Sequence, residues 1–394
     1  MPDNNIKLSQ RAEAISPFHV MNILAQAKAL EAQGRDIIHL EVGEPDFTTP
    51  VPIVEAGIVA LKSGKTHYTP ALGLPALRPA IADWYLTHYG VALSAERVVV
   101  TPGASGALLL LMGALLDPGK SVLLADPGYP CNRHFARFVE GQAQLVTVAE
   151  AAGYQLTATD IAQHWHDDTS MALLASPANP TGSVLSRDDL MTLSSAIKAK
   201  AGHFVVDEIY HGLIYGDVDT TTALAIDDNA FVINSFSKFF GMTGWRLGWL
   251  VVPEAYVPAM EKLAQNLYLA PPTVSQYAAL AAFEPDTLAI LEQRRQIFEQ
   301  RKAVLLPALI ALGLNITATP AGAFYIYADC RHFLNDTHPD SMALSQFWLQ
   351  EAGVAVTPGY DFGKSGAKTH IRLAYTRDSA RLLEAVDRIA ALYR

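Results

Sequence analysis

The stretch FVINSFSKFFGMTGWRLGW (residues 231–249) decides the fold. It begins with a short apolar run, Phe231–Ile233, which ends abruptly in polar residues. Buried strands of a parallel sheet have this form in sequence. Two cations, Lys238 and Arg246, then lie among apolar residues, and a buried cation is costly unless it is paired, covalently bound or shifted in pKa. The stretch therefore predicts a strand that brings a lysine to a ligand site.

Four other apolar runs end in the same way. Each precedes a cluster of turn-forming residues, and the runs are Arg97–Val100 before TPGASG, Ser121–Ala125 before DPGYP, Met171–Ala175 before SPANPTG and His203–Val206 before DEIY. Helical patterns such as Arg187–Ala199 lie between them. This alternation predicts an α/β domain with a mainly parallel sheet. Because ligands bind beyond the carboxyl ends of such strands, the five polar clusters should meet at one crevice.

The character of the chain changes from about Thr273 onwards. The patterns there are a long helix, two short strands and a final helix, over Leu288–Leu312, Ala323–Ala328, His370–Ala374 and Ser379–Leu392. One helical pattern, Val20–Gln33, lies near the start of the chain. We therefore predict a large domain over residues 49–275 and a smaller α+β domain formed by residues 1–48 and 276–394.

Composition and charge exclude several classes of protein. Half of the 394 residues are hydrophobic and 17% are charged, which is typical of a folded globular enzyme. The formal net charge of -10 disfavours a protein that binds the phosphate backbone of a nucleic acid. The most apolar run, Ala107–Leu116, is too short for a membrane helix, which needs about 20 residues. With no signal-peptide core and only Cys131 and Cys330, we expect a cytoplasmic protein without nucleic-acid or membrane partners.

Three short motifs match other chemistries only weakly. Ser235–Lys238 satisfies the S-x-x-K pattern of serine acylases, but the chain has neither S-D-N nor K-T-G. Gly103–Gly106 lacks the G-x-S-x-G spacing of a nucleophile elbow. His164 and His166 have no third metal ligand near them in sequence, so we interpret them as part of an exposed loop. We predict no metal site.

Lys238 has a clearer role beside a phosphate group. An amine that attacks an aldehyde and then moves protons needs a lowered pKa, which a crowded cationic or apolar pocket provides. Arg246 and the hydroxyls of Ser235 and Ser237 are suited to holding a phosphate dianion. The run Pro102–Gly106 opens a helix directly after a strand, where free N–H groups favour the same anion. Together these residues predict a phosphorylated aldehyde, and pyridoxal 5'-phosphate is such an aldehyde.

The other strand ends supply what the ring of this cofactor needs. Asp207 follows an apolar strand, and a carboxylate against the ring nitrogen keeps that nitrogen protonated, so that the ring accepts electrons. Tyr210 and Asn179 can hydrogen-bond the phenolic oxygen, and Tyr129 can stack on the ring face. The residues at the strand ends therefore predict a site in which the cofactor ring accepts electrons from the substrate.

Eight motifs, in order over nearly the whole chain, resemble those of the class I/II aminotransferases, which are fold-type I pyridoxal-phosphate enzymes. They are EVGEPDF (Glu41–Phe47), HYTPALGLPALR (His67–Arg78), TPGASGAL (Thr101–Leu108), DPGYP (Asp126–Pro130), NPTG (Asn179–Gly182), VVDEIY (Val205–Tyr210), SFSKFFGMTGWRLGW (Ser235–Trp249) and HIRLAY (His370–Tyr375). The resemblance implies a large domain with a mainly parallel seven-stranded sheet flanked by helices, plus the smaller α+β domain. It also implies a transaminase of amino-acid metabolism and biosynthesis, with an L-amino acid and a 2-oxo acid as substrates.

The resemblance also implies roles for individual residues. Lys238 resembles the lysine that forms the internal aldimine and moves the α-proton, and Asp207 and Tyr210 complete the catalytic group. Arg372 resembles the arginine that grips the substrate α-carboxylate, beside Gly43 and Asn179. Tyr68 resembles a tyrosine that reaches the cofactor phosphate of the neighbouring subunit, which implies a homodimer. The residues implied for cofactor binding are Tyr68, Ala104, Ser105, Tyr129, Asn179, Asp207, Tyr210, Ser235, Ser237, Lys238 and Arg246.

Two alternatives remain open at this point. The same fold also hosts β-eliminating C–S lyases, so the fold alone does not determine the reaction. A ligand-sensing regulator without turnover is a second alternative, and such proteins usually carry a DNA-binding module ahead of this domain. The residues before the first motif are not basic and show no helix-turn-helix pattern, which disfavours a regulator.

The substrate side chain is the least determined feature. The apolar helix Ala107–Leu116 contains no cation, and no second arginine stands out to receive a distal carboxylate. Our hypothesis is that apolar or aromatic amino acids are better donors than aspartate. A charge supplied by the partner subunit or by the segment near Phe18 would contradict it.

Overall fold

A computed structural model describes residues 7–394 of the chain. The first six residues, which belong to the predicted smaller domain, lie outside this range. The strands of the described part form three sheets. They are β1 (Ile38–His39), β2 (Val98–Thr101), β3 (Ser121–Asp126), β4 (Gln142–Thr147), β5 (Thr169–Ala175), β6 (His203–Asp207), β7 (Phe231–Ser235), β8 (Gly248–Val251), β9 (Tyr325–Asp329), β10 (Val354–Ala355), β11 (Thr357–Pro358) and β12 (His370–Ala374).

The largest sheet of the described residues has seven strands in the order β2-β8-β7-β6-β5-β3-β4. Strands β3 to β7 pair in parallel, and β8 runs antiparallel between β7 and β2. Its inner strands are buried on both faces: all residues of β7 and β8 are buried. Helices must therefore cover both faces, as is usual for parallel sheets. The predicted α/β architecture with a mainly parallel sheet is confirmed.

The α-helices lie between these strands and in the C-terminal part of the chain. They are α1 (Gln10–Ala14), α2 (His19–Glu31), α3 (Val51–Lys62), α4 (Leu77–Tyr89), α5 (Gly103–Leu115), α6 (Pro130–Phe138), α7 (Ala158–His164), α8 (Arg187–Lys198), α9 (Val257–Leu267), α10 (Thr273–Leu280), α11 (Pro285–Leu312), α12 (Ser341–Phe347) and α13 (Ser379–Ala391). Their ends follow local chemistry. Ser186 and Asp189 form a capping box at the start of α8, and Pro285 begins α11.

The C-terminal part of the chain contains two smaller sheets. β12 pairs antiparallel with both β9 and β11, and β1 pairs in parallel with β10. The pairing of β1 with β10 joins the start of the described chain to its C-terminal part. Helix α11 packs against α13. The domain boundaries at residues 48 and 275 stay a prediction.

The five strands predicted from apolar runs are confirmed, but two strands of the large sheet were not predicted. β4 is an edge strand whose residues are mostly half-buried or exposed, so its sequence QAQLVT has no continuous apolar run. β8 has only four residues and lies inside the glycine-rich motif after Lys238. Among residues 7–394, no helix is long and apolar enough to cross a membrane.

Candidate active site

Two cavities meet at Lys238, and Tyr129, Asp207, Ile209 and Lys238 line both of them. The first, which we call the apolar cavity, has a volume of about 180 Å³, and the second, the polar cavity, has a volume of about 140 Å³. The apolar cavity is also lined by Phe18, Val20, Met21, Val42, Gly43, Ala175, Pro177, Asn179, Tyr210, Tyr325 and Arg372. The polar cavity is also lined by Ala104, Ser105, Leu108, Ser235, Ser237, Thr243 and Arg246.

The strand register explains why Arg246 reaches the same sheet edge as Lys238. Gly248, the first residue of β8, pairs with Thr101 at the end of β2 and with Ser235 at the end of β7. The turn before β8 therefore lies at the carboxyl ends of its neighbours. A side chain at Gly248 would place its Cβ 2.9 Å from the amide nitrogen of Ala104, so glycine allows the start of α5 to come close.

The polar cavity is built from hydrogen-bonding groups that suit a dianion. Ser235 and Ser237 are buried at its wall, and the N–H of Ser237 donates to Ser235 Oγ at 3.1 Å. Arg246 Nη1 donates to the carbonyl oxygen of Thr243 at 3.0 Å, which fixes the guanidinium at the wall. Helix α5 begins here without a side-chain cap, so its first amide groups are available. A phosphate group is the kind of anion that this combination binds.

Lys238 lies at the junction of the two cavities. Its Nζ donates to the carbonyl oxygen of Gly43 at 2.7 Å and lies 5.8 Å from the ring centroid of Tyr210. Burial lowers the pKa of Lys238 to about 8, and the positive charge of Arg372 acts in the same direction. A larger fraction of this amine is therefore neutral and nucleophilic near pH 7 than of an ordinary lysine.

Asp207 and Glu208 are adjacent in sequence but have different surroundings. Glu208 accepts hydrogen bonds from Thr222 Oγ1 and from the N–H of Ala223, away from the two cavities. Asp207 lines both cavities, and its Oδ1 accepts only the N–H of Ile209, at 3.1 Å, in the described part of the chain. Burial raises the pKa of Asp207 to about 7. Its carboxylate is therefore suited to a cationic or hydrogen-donating ligand.

Arg372 is a buried cation on β12. Its Nη1 donates to Asn179 Oδ1 at 2.9 Å, and its Nη2 donates to the carbonyl oxygen of Glu41 at 2.6 Å. Its guanidinium carbon lies 4.2 Å from the ring centroid of Tyr325. Its Nη2 also lies 3.3 Å from Thr357 Oγ1, its Nε is buried without a partner, and none of its hydrogen-bond partners within residues 7–394 is a carboxylate. A buried guanidinium of this kind favours a carboxylate ligand.

A family model described as aminotransferase class I and II matches residues 35–389 of the chain. The chain belongs to this family. It is 35% identical to a (5-formylfuran-3-yl)methyl phosphate transaminase from Methanocaldococcus jannaschii over 97% of this chain and 98% of that protein. It is 35% identical to a valine–pyruvate aminotransferase from Mycobacterium tuberculosis over 96% of each chain. A solved aminotransferase structure from Mycobacterium tuberculosis matches with a TM-score of 0.93 and 35% identity over 98% of both chains.

This aminotransferase is therefore an enzyme that transfers amino groups, as predicted. The predicted fold type I is confirmed by the match to solved aminotransferases over 98% of the chain. The transaminase names of the relatives favour amino-group transfer over the β-eliminating lyase that the sequence left open.

All predicted site residues except Tyr68 line one of the two cavities of the aminotransferase. Tyr68 lies on the segment between α3 and α4, and 82% of its surface is exposed. The role predicted for it requires a second subunit and stays a prediction.

Sequence analysis missed Tyr325, whose hydroxyl lies 2.8 Å from that of Tyr210. A Cβ added at Gly43 would lie 2.0 Å from this hydroxyl, so Tyr325 can occupy its position only because residue 43 is glycine. The run AFYIYA did predict a strand, and the strand period places Tyr325 and Tyr327 on one face. Nothing in the sequence indicates which elements that face meets.

The segment near Phe18 carries no positive charge into the apolar cavity. Phe18, Val20 and Met21, at the start of α2, present apolar side chains to it. The possibility that this segment supplies a cation for the substrate is therefore wrong. The structure also corrects the interpretation of His164, because this residue ends α7 and is half-buried rather than lying in an exposed loop. Across residues 7–394, no group of three or more His, Cys, Asp and Glu side chains is placed to hold a metal ion.

Proposed function

We propose that the chain is a pyridoxal 5'-phosphate-dependent aminotransferase that moves an amino group from an L-amino acid to a 2-oxo acid. The observation that carries this proposal is the position of Lys238. This amine, whose pKa is about 8, lies between a cavity suited to a phosphate and a buried arginine suited to a carboxylate. A phosphorylated aldehyde cofactor and an amino-acid substrate would need these three groups: one for the phosphate, one for the aldehyde and one for the α-carboxylate.

The residues of the two cavities fit this cofactor. Ser235, Ser237, Arg246 and the first amides of α5, at Ala104 and Ser105, would hold its phosphate. Asp207 would pair with its ring nitrogen, and this is the cationic partner that the buried carboxylate otherwise lacks. Tyr129 would lie against the ring face, and Asn179 and Tyr210 would hydrogen-bond the phenolic oxygen. When bound, the cofactor supplies an electron sink for negative charge that develops at the substrate Cα.

The residues of the chain then position the substrate and move its proton. Arg372 holds the α-carboxylate, with its guanidinium fixed by Asn179 and by the carbonyl oxygen of Glu41. The backbone of Gly43 lies beside it, and its carbonyl oxygen accepts from Lys238 Nζ. Lys238 Nζ takes the proton from Cα, for which a pKa near the working pH is favourable. The same amine returns a proton when the 2-oxo acid is converted in the second half of the reaction.

We also propose that the enzyme is a homodimer in which Tyr68 of each subunit reaches the polar cavity of the other. Three features support this proposal. Tyr68 is largely exposed, Arg246 in the polar cavity is also exposed, and α3 leaves Val51, Val59 and Leu61 exposed. Apolar side chains in this number on one helix are typical of a contact surface. Analytical ultracentrifugation tests the assembly, and a monomer at micromolar concentration would contradict it.

A cytoplasmic location and a role in amino-acid metabolism, in particular biosynthesis, complete the proposal. They are supported by the presence of two free thiols, Cys131 and Cys330, and by the amino-acid chemistry of the family. The two relatives described above act, by their names, on different substrates, so family membership does not identify the donor.

Covalent trapping tests the cofactor and the lysine together. The purified protein is incubated with pyridoxal 5'-phosphate, reduced with borohydride, digested and mapped by mass spectrometry. We expect a pyridoxyl label on Lys238. Lys302 is an internal control, because burial lowers its pKa too but it lies outside both cavities and donates to the carbonyl oxygen of Pro320. A label on Lys302 with none on Lys238 would contradict the proposal.

Product analysis tests the reaction. With an amino-acid donor and a 2-oxo acid acceptor, we expect the amino acid that corresponds to the acceptor. Release of ammonia and pyruvate without an acceptor would instead identify a β-eliminating lyase.

A further inference from the structure

The walls of the apolar cavity contain no cation for a second substrate carboxylate. Among the described residues that line it, Lys238 and Arg372 are the positive groups, and both already have roles in the proposed function. Phe18, Val20 and Met21 form the part contributed by α2. Within one subunit, a distal carboxylate that enters this cavity would be buried without a partner, which is costly.

The start of α2 is the other place where a carboxylate would bind, but Asp361 already occupies it. The N–H groups of His19 and Val20 donate to Asp361 Oδ1 and Oδ2, both at 2.8 Å. Free amides at a helix start favour an anion, and here a residue of the chain satisfies them. Asp361 is 1% exposed, so its charge is poorly screened by solvent. The next residue, Phe362, packs 5.0 Å from the guanidinium of Arg372.

Of the cations near Asp361, Arg372 lines the apolar cavity and is already assigned to the α-carboxylate, whereas Arg133 and His19 do not line it. Arg133 donates to the carbonyl oxygen of Asp361 at 3.0 Å and lines a separate cavity with Tyr129 and Phe362. The ring of His19 packs edge-to-face on Tyr360, with 6.4 Å between centroids. Asp361 therefore lies directly behind the α2 wall, because it accepts the N–H groups of His19 and Val20.

We propose that the apolar cavity takes an uncharged, apolar side chain in both halves of the reaction, and that Asp361 is the residue that excludes a second carboxylate. The inference rests on the proposed function, because it assigns Arg372 to the α-carboxylate. The donor is an apolar or aromatic L-amino acid. Since donor and acceptor use the same cavity in turn, the acceptor is a 2-oxo acid with a single carboxylate rather than 2-oxoglutarate.

Binding of unreactive carboxylates to the holoenzyme tests this inference directly. The probes are 4-methylpentanoate and 3-phenylpropanoate as apolar monocarboxylates, and glutarate as the dicarboxylate, with dissociation constants from isothermal titration calorimetry. We expect glutarate to bind about tenfold more weakly or worse. Glutarate that binds as tightly as the monocarboxylates would overturn the assignment of the cavity.

The variant Asp361→Asn tests the excluding residue. The amide keeps the shape of the side chain but removes its charge, so the preference for monocarboxylates over glutarate should fall by about tenfold. The matched control is Asp378→Asn. Asp378 also caps a helix, accepting the N–H of Arg381 at 3.0 Å, but it lies on the surface at the start of α13. An unchanged preference in a folded Asp361→Asn enzyme would overturn the role of Asp361.

A second variant keeps the inference testable if Asp361→Asn does not fold. Met21 lines the cavity from α2 and is 54% exposed, so a longer charged side chain is accommodated there. Met21→Lys should strengthen glutarate binding by about tenfold, because it places a cation on the apolar wall. Glutarate affinity that does not change would show that this wall does not face the substrate side chain and would overturn the inference.

Turnover separates this inference from the proposed function. Reaction of an apolar donor with pyruvate, at a higher kcat/KM than aspartate with 2-oxoglutarate, would support both. If aspartate with 2-oxoglutarate were the best pair, amino transfer would stand and the inference would fall. If no pair of donor and acceptor reacted although the monocarboxylates bound, the proposed function would fail. The binding constants would still show whether the cavity prefers monocarboxylates over glutarate.

Discussion

The polar cavity and the apolar cavity share Tyr129, Asp207, Ile209 and Lys238, but the rest of their walls comes from different parts of the molecule. The polar cavity is built at one edge of the large sheet: Ala104 follows β2, Ser235 ends β7 and Arg246 precedes β8. The apolar cavity also needs elements outside that sheet, because Phe18 precedes α2 and Tyr325 and Arg372 lie on β9 and β12.

This difference separates the fixed part of the site from its variable part. A cavity on one sheet edge keeps its geometry wherever the sheet forms. A cavity between several elements changes when any one of them changes in sequence or packing. The two relatives with about the same identity to this chain, 35%, carry different substrate names, as expected if the variable part determines the substrate.

Replacement of Lys238 should have the largest effect, because this residue belongs to both cavities. Lys238→Ala removes the nucleophile and the proton carrier together, so kcat should fall by about 10⁴-fold or more. Steady-state and single-turnover assays measure this loss. The control Lys238→Arg keeps a positive charge but cannot lose its proton near neutral pH, so it should be inactive as well. Substantial activity in either variant would show that the amine is not required.

Asp207 should control how the stability of the cofactor-free protein depends on pH. Burial raises its pKa from 3.8 to about 7, so the folded chain binds a proton that the unfolded chain releases. This contribution is present below about pH 4 and is lost as the pH rises through about 7, and it corresponds to about 4 kcal/mol of unfolding free energy. Asp207→Asn cannot titrate, so above pH 7 the variant should be more stable than the wild type.

Urea unfolding at several pH values measures this difference. Both proteins keep Glu208, whose pKa is raised by burial to about 8 and also by the charge of Asp207, so the comparison measures Asp207 together with its effect on Glu208. A difference in unfolding free energy between the two proteins that stays constant from pH 4 to pH 8 would contradict the prediction. With the cofactor bound, the wild type should be more stable than Asp207→Asn, because the carboxylate of Asp207 then has its cationic partner.

Substitution of the two arginines should affect different ligands: Arg372 the amino acid, and Arg246 the cofactor. Arg372→Lys should raise the KM for the amino acid by about 10- to 150-fold, because a lysine cannot form the bidentate contact with a carboxylate. The dissociation constant of the cofactor should stay the same. Arg246→Gln should do the opposite and weaken the cofactor by a similar factor. Fluorescence titration of the cofactor and steady-state kinetics give the two constants, and loss of the cofactor in Arg372→Lys would show that the two cavities are not independent.

The polar cavity was predictable from the sequence because its residues follow directly from strand ends. The glycine-rich turn at Gly103, the hydroxyls beside Lys238 and the carboxylate of Asp207 each lie within a few residues of an apolar run. The strand order was not needed, since the carboxyl ends of parallel strands always share one edge. The same rule gave Tyr129, which lines both cavities, and Asn179, which lines the apolar cavity.

The apolar cavity was only partly predictable, because tertiary packing assembles it. The N–H of His19 meets the carboxylate of Asp361 across 342 residues of sequence, and no local pattern indicates that contact. Phe18 and Tyr325 look like ordinary core residues in sequence. The resemblance to the family supplied Arg372 and Gly43, but not the neighbours that fix the shape around them.

Replacement of Tyr325 should have the smallest effect. It tests whether a change in the apolar cavity alters substrate use without altering cofactor binding. Tyr325→Phe removes the 2.8 Å hydrogen bond to the Tyr210 hydroxyl while keeping the ring 4.2 Å from Arg372. A neutral hydrogen bond contributes about 0.5–1.5 kcal/mol, so kcat/KM for the amino acid should fall about two- to tenfold. Tyr375→Phe is the matched control, because it removes the buried hydroxyl that donates to the carbonyl oxygen of Ala323, outside both cavities. Since Tyr325 is not among the residues proposed to hold the cofactor, cofactor affinity should be equal in both variants. A weaker cofactor in Tyr325→Phe alone would mean that Tyr325 acts on the cofactor through the Tyr210 hydroxyl.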